Sequence, residues 1–441
     1  MKESLSSSPS SSNWILDATD LGSLTKKLKG RSNNPIALLG DHLWFPYVDQ
    51  GMQLPSCVTI KYRKDRALNV VMIGEDIGGS WNQFPPQTMT LSPGSWMSLP
   101  FWPMLESSNS TVIEGRIPRE FVSSYYCKAF KEQLQHVYTA GKVTRVTPLV
   151  SSNDNGTNNL STNDGGGWKV IATTQNSKNV SSTMTWKAQA VILATGSYSK
   201  TKKLENLIDL LRHPNLTHRI PKSWSLLSST KNTTTNLLVV GAGMSASDCI
   251  IAALNANVMV SHVFRGTAET SNIGRKFTYA KGMYSDYSRL VELMKGKLSS
   301  NLYQPYPNGT LIHAKQDKSC IIRLQNSNTS RIVELQDIHQ VAILIGSTPD
   351  LGFVDGFNND NNNKGEAMKV TNNPLNAYPS VSSTHPQYVN VDPFTMEVVT
   401  NNKNQNIYAV GPLRGDNFVR FITNDAWGIA HNLWSRRIQQ L

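Results

Sequence analysis

The sequence predicts an α/β protein with a mostly parallel sheet, on three observations. Short apolar runs recur along the chain, most of them stop at glycine, and stretches with helical spacing separate them. Hydrophobic residues fill 39% of the 441 positions and charged residues only 17%, which suits two or three domains with cores of their own.

In chain order, Ser4–Ser12 is low-complexity and expected to fray, and globular text begins at Gly30–Ser32. Val70–Ile73 is a short buried strand that runs into a turn at Gly78-Gly79. Pro118–Gln135 has helical spacing, with Phe121, Tyr125 and Phe130 on one side and Pro118 near the first turn. The polar run Ser151–Gly167 reads as a surface loop between strands near Thr144–Leu149 and Lys169–Thr174. Ala190–Leu193 is another buried strand, ending on Ala194-Thr195-Gly196. Phe357–Gly365 is an Asn-rich insert, and Val341–Ile345 and Ile407–Val410 are two further glycine-stopped strands.

Composition excludes several classes. The net charge is +12, yet the basic clusters Lys26–Arg31, Lys61–Arg66 and Lys200–Lys203 are not interleaved with aromatics or set in a zinc, homeodomain or RNP frame. They read as solvated surface, not a nucleic-acid site. Cys57, Cys127, Cys249 and Cys320 lie far apart without a CxxC pair, as expected of thiols in a reducing, cytoplasmic compartment. No apolar run approaches the ~20 residues of a membrane span, no amino-terminal h-region is present, and the histidines show no metal-ligand spacing.

One unit carries chemistry. The apolar strand Asn236–Val240 runs into Gly241-Ala-Gly243-Met-Ser245-Ala246, then the helical stretch Cys249–Leu254, then a second strand Val258–Phe264. Gly241 permits the tight turn, Gly243 lets the backbone approach a pyrophosphate, and Ala246 keeps helix and strands close. The helix start offers free N–H groups to phosphate oxygens. This is a Rossmann-like βαβ unit. An NAD site wants an acid at the end of its second strand, whereas this chain has Arg265, 24 residues beyond Gly241, which suits the 2′-phosphate of NADP(H). Ser245 sits on the turn without the final glycine of a hydrolase elbow, so its expected role is to hydrogen-bond phosphate or cap the helix. His262 reads as a satisfied core or rim residue, and the tyrosines from Tyr284 to Tyr306 read as core packing or the border of a substrate opening.

Further segments resemble the flavin-containing monooxygenase superfamily. Gly78-Gly79-Ser80-Trp81 is similar to its GGxW loop, Trp96–Pro100 and Arg119–Tyr126 to the segments after that loop, and Ala194-Thr195-Gly196 to its ATG strand end. Gly30–Pro35, Val391–Phe394 and Gly411–Phe421 resemble more closely the oxidative stress-induced growth inhibitor family within it. The likeness runs from about Gly30 to Trp434. It implies a two-dinucleotide-binding-domain flavoprotein using FAD and NADPH, with a discontinuous flavin domain (1–197 and 341–441) and an inserted NADP domain (198–340). Carried over, Gly78, Gly79 and Trp81 line the FAD, Gly196 marks the crossing, Asp416 faces the ribityl or pyrophosphate region, and Gly415 and Asn417 present backbone at the last helix. Read from the residues alone, Asp416 equally suits an N-cap. The family's flavin-binding glycine loop has no counterpart here: residues 1–29 contain only Gly22. The first flavin-binding βαβ unit is therefore expected to be missing. The implied activity is NADPH-dependent monooxygenation of a small soft nucleophile or carbonyl, linked to oxidative stress and growth regulation. The alternative is an inactive regulatory protein that uses the nucleotide fold as sensor or scaffold.

Overall fold

The structure, a computed structural model, describes residues 18–47, 54–59, 67–99, 102, 104, 115–149, 167–175, 181–204, 210–221, 235–274, 284–355, 389–399 and 406–439, with positions 31, 33, 87, 272, 327 and 417 excepted. The serine-rich start, nearly all of the 151–167 run, the 357–365 insert and Asn417 lie outside the described residues.

The chain opens with helices α1 (Ala18–Thr25) and α2 (Pro35–Trp44), followed by β1 (Met72–Gly74), α3 (Ser80–Gln83), β2 (Met89–Pro93), β3 (Arg116–Pro118) and α4 (Arg119–Gln133). Strands β4 (Tyr138–Ala140), β5 (Lys142–Pro148), β6 (Trp168–Gln175), β7 (Ser181–Ala188), β8 (Val191–Leu193), β9 (Lys200–Thr201) and β10 (Leu216–Thr217) come next. The nucleotide-type unit holds β11 (Asn236–Val240), α5 (Met244–Asn255), β12 (Met259–Val263), α6 (Ser285–Met294) and β13 (Tyr303–Tyr306). After it come β14 (Gly309–Ala314), β15 (Cys320–Asn326), β16 (Thr329–Leu335), β17 (Ile338–Ile343), β18 (Ser347–Thr348), β19 (Ile407–Ala409) and the long α7 (Val419–Gln439).

A five-stranded sheet of order β10-β17-β11-β12-β13 is parallel throughout. β11 lies at its centre, and its text is almost wholly apolar because both faces are covered. Side chains alternate across the pleat. Leu237 and Val239 pack with Ala246, Ile250 and Ala253 of α5, while Leu238 and Val240 pack on Leu311, Cys320 and Ile322 of the β14-β15-β16 meander. β17 crosses residue 341 and pairs along β11 on to Ile343.

The other lobe repeats this arrangement in pieces. β19 pairs with β8 and β1 pairs with β4, both parallel, and an antiparallel meander β5-β6-β7 joins them. Leu193, Ile407, Val170 and Trp168 share one core against which Ile73 and Val191 pack. In the five-stranded sheet the strand after the meander, β17, adjoins the strand that opens the unit, β11. In this lobe β8 follows the meander, yet among the described residues no strand pairs with both β8 and β1. Met72 and Ile192 are correspondingly 40% and 46% exposed.

The mostly parallel expectation holds for the nucleotide sheet, whereas both meanders are antiparallel. Their strands are half polar, as in β7 (SSTMTWKA), so one face can meet water, which a parallel sheet seldom allows. The expected 118–135 helix forms as α4 with Pro118 at its N-cap position, burying Val122, Ala129 and Phe130. Among the described residues no helix is long and apolar enough to cross a membrane.

Candidate functional site

The turn after β11 is built as its sequence requires. Gly241 sits at φ +124°, and a Cβ there would stand 2.3 Å from the Leu344 carbonyl oxygen, so only glycine fits between β11 and the end of β17. Its N–H donates to the Val263 carbonyl at 2.9 Å, which ties the turn to β12. Gly243 is the N-cap of α5, with no side chain bonding the first-turn amides. A Cβ on Gly243 would meet nothing within 4 Å. The helix start therefore presents amides and a positive dipole end beside open space, a fit for an anionic pyrophosphate. Ala246 is fully buried against the sheet, as close packing of helix and strand demands. Ser245 is exposed on the first turn; Gly243 occupies the cap position, so capping is not its role.

Arg265 is exposed just beyond β12. Lys202, whose N–H donates to the Gly346 carbonyl at 2.9 Å, has its ammonium pKa lowered first by burial and then by the Arg265 charge. Lys202 and Arg265 thus share one positive field at this edge. Sequence reasoning read Lys200–Lys203 as plain basic surface; only the fold shows that one of them shares the field of Arg265.

In the other lobe, Gly78 and Gly79 lead into α3 at positive φ. The Asn82 amide donates to Asp76 and to the Ile77 carbonyl, both at 2.5 Å, and braces the turn. The Trp81 ring meets Phe84 edge-on at 5.3 Å, and its carbonyl accepts from Arg119 at 3.1 Å. Tyr125 receives the Leu99 N–H at 2.8 Å, and Tyr126 donates to the Met97 carbonyl at 3.0 Å. The three segments similar to the monooxygenase superfamily therefore meet around one cluster of Trp81, Met97, Val122, Tyr125 and Tyr126. A Cβ on Gly79 or on Gly196, at the end of β8, would meet nothing within 4 Å.

The amino- and carboxy-terminal signatures also meet. Ser32 donates to Asp416 at 2.6 Å, the Asn34 amide donates to Asp425 at 2.6 Å, and Arg414 pairs with Asp425 at 2.9 Å. Asp425 further accepts from the Gly411 N–H at 3.2 Å. Burial raises the Asp416 carboxyl, and raises Asp425 to about 7. Two acids sharing one guanidinium in a dry site cannot both ionise easily. Gly415 stands at φ +101° next to them. Because α7 begins only at Val419, Asp416 is not its N-cap; its carboxylate is spent on Ser32 and Arg414. Asp425 escaped sequence reasoning, since one acid inside a helix carries no signal of its own. His262, Tyr284, Tyr287 and Tyr303 are buried in the core, whereas Tyr306 is only partly buried against the β14-β15 core.

No family model matches the chain. It is 28% identical over 437 residues to human oxidative stress-induced growth inhibitor 1, spanning 95% of this chain and 85% of that protein. It is 27% identical over 444 residues to human oxidative stress-induced growth inhibitor 2, spanning 95% and 83%. Among solved structures, the bacillithiol disulfide reductase Bdr of Bacillus cereus superposes with a TM-score of 0.53 at 14% identity, covering 85% of this chain and 93% of that one. The resemblance to the growth inhibitor family thus extends over nearly the whole chain. The structural likeness shows the fold, the two-dinucleotide-binding-domain α/β architecture.

Proposed function

We propose that this relative of the oxidative stress-induced growth inhibitors is an NADPH-dependent oxidoreductase of the flavin monooxygenase type. The observation that carries the reading is the Gly241–Ala246 turn opening onto free helix amides, with Arg265 and Lys202 beside it. The first-turn amides of α5 and Ser245 would hold the pyrophosphate, and the two cations the 2′-phosphate. Bound there, NADPH supplies a hydride. The inserted lobe, placed at 198–340 with the rest of β17, is the coenzyme domain; residues 1–197 and the chain after β17 form the flavin-type domain.

For FAD the residues fit in part. Gly79 and Gly196 each leave room at the Cα, and Gly78, Gly415 and Asn417 are the further backbone contacts the resemblance suggests. The Asp416 carboxylate, however, is already engaged, and among the described residues this lobe has no strand that runs through a GxGxxG-type turn into a helix as β11 runs into α5. No step is therefore assigned to flavin. The same observation favours a second reading, a growth-regulatory protein that binds NADPH without turnover. Titrating the purified chain with NADPH while recording flavin absorbance and NADPH consumption separates the two. Binding with turnover supports the enzyme, binding without turnover the sensor, and no binding removes both.

A further inference from the structure

We propose that His262 is a positioning residue for the coenzyme, holding the Gly241 carbonyl so that the following amide is turned toward the pyrophosphate. The inference rests on the nucleotide reading of the Gly241 turn and assigns a task to a side chain that the reading leaves idle.

His262 lies within β12, opposite Val239 of β11, and is 1% exposed. Its Nε2 stands 2.6 Å from the Gly241 carbonyl oxygen and its Nδ1 stands 2.7 Å from the Tyr303 hydroxyl on β13. A carbonyl only accepts, so Nε2 must carry the proton. Nδ1 is then the acceptor and Tyr303 the donor. The order is fixed: Tyr303 O–H to Nδ1, Nε2–H to Gly241. Burial lowers the imidazole pKa to about 4, so the ring keeps this single neutral tautomer at ordinary pH. The Phe264 ring, 4.6 Å away, packs against it.

The consequence comes from the peptide plane. In a trans peptide the C=O and the next N–H point in opposite directions, and no described bond is cis. With the Gly241 carbonyl drawn toward His262, the Ala242 N–H is set on the opposite side of the peptide, away from His262, where the proposal places the pyrophosphate. Gly241 is held at both ends, by Val263 at its N–H and by His262 at its C=O. A glycine at φ +124° has wide freedom when unrestrained, and the histidine removes that freedom before any ligand arrives. The cradle is thereby preorganised.

The test separates the pyrophosphate end of the coenzyme from its 2′-phosphate end. NADPH and adenosine 2′-monophosphate, which has no pyrophosphate, are titrated by calorimetry into the full chain and its His262→Leu, His262→Gln and Tyr303→Phe variants. His262→Leu is expected to lose about tenfold in NADPH affinity, the equivalent of one hydrogen bond. Its affinity for adenosine 2′-monophosphate should be unchanged. His262→Gln, which can place an N–H near the same point, should recover most of the loss. Tyr303→Phe, which frees the tautomer, should lose a few-fold. Wild-type NADPH affinity in folded His262→Leu, or a parallel loss of both ligands, overturns the proposal. Should His262→Leu fail to fold, unchanged NADPH binding by Tyr303→Phe together with no advantage of His262→Gln over Tyr303→Phe overturns it equally. Wild-type protein that binds adenosine 2′-monophosphate but not NADPH, or neither, overturns the nucleotide reading itself, a result distinct from the others.

Discussion

One guanidinium nitrogen of Arg116 lies 3.0 Å from each carboxylate oxygen of Asp286, joining residues 170 positions apart. Arg116 opens β3, where it pairs with Pro93 of β2, and its Nε donates to the Thr90 carbonyl at 2.6 Å. Asp286 stands in the first turn of α6, on the coenzyme side. The guanidinium also lies over the Tyr287 ring at 5.1 Å, and Tyr284 donates to the Leu91 carbonyl at 2.7 Å. One hairpin thus docks on one helix start.

Arg116→Ala should loosen that junction. The arginine side chain is 5% exposed and the aspartate 34%, so the pair is worth more than a surface bridge but less than a fully buried one. A loss of about 1.5–3 kcal/mol is expected, the range for hydrogen bonds to charged groups. Urea unfolding measures it; a loss within error of zero would show that the hairpin docks through apolar contact alone.

Asp248, on α5, accepts from the Tyr287 hydroxyl, and burial raises its carboxyl to about 6. An acid whose pKa is higher folded than unfolded takes up protons on folding, so stability falls as pH rises between the two values. The penalty develops from about pH 4 to pH 6 and is complete above, amounting to at most about 3 kcal/mol. Asp248→Asn should therefore be more stable than wild type at pH 8, with the difference shrinking to nothing near pH 4. Denaturation midpoints across that range check it, and a constant difference would refute the linkage.

Coenzyme choice should lie with Arg265 and Lys202. Arg265→Ala should weaken NADPH by about 1.5–3 kcal/mol and leave NADH almost unaffected. Lys202→Ala should act in the same direction, and less, because an ammonium lacks the forked geometry of a guanidinium. Equal losses for both coenzymes in direct titrations would move the 2′-phosphate elsewhere.

The two glycines of the turn should fail differently. Gly243→Val has room for its side chain, and fills the space in which a ligand would lie, so the fold should survive while NADPH binding disappears. Gly241→Ala instead drives a Cβ into the Leu344 carbonyl, so the protein itself should be destabilised. Circular dichroism with coenzyme titration distinguishes loss of ligand from loss of fold.

Flavin should be scarce in the purified chain. If residues 1–29, which hold only Gly22, supply no glycine loop, two or three charge-assisted hydrogen bonds to an FAD pyrophosphate are missing, about 3–9 kcal/mol together. That places FAD affinity in the micromolar to millimolar range. The edges of β8 and β1 that stay unpaired among the described residues should also make the protein prone to aggregate. The flavin-to-protein absorbance ratio after gel filtration reads both; a monodisperse, stoichiometrically yellow protein would contradict the expectation.

The βαβ unit at Gly241 was legible because a strand, a glycine turn, a helix and a second strand are contiguous, so each local signal reinforces the next. β11, α5 and β12 formed where the text of Asn236–Phe264 puts them. The contacts of the other lobe carry no local signal, because they join distant segments. Nothing local in Ser32 announces Asp416, and nothing in Arg116 announces Asp286. Two strands of one meander, β5 and β6, were legible on either side of the 151–167 run, but their antiparallel pairing was not, because pairing direction leaves no mark on composition.

The short ribbon of β9 and β18 has a consequence for modularity. Thr201 pairs with Ser347 and Lys200 with Thr348, so the chain leaves for the coenzyme lobe and returns from it at adjacent rungs of one antiparallel ladder. Paired residues in such a ladder stand about 4.5–5.5 Å apart. The intervening segment can therefore be cut out and its ends bridged by a two-residue turn, or expressed alone with its own ends joined. A coenzyme domain attached in this way can be exchanged between proteins through one narrow graft, with no strand of the host sheet broken.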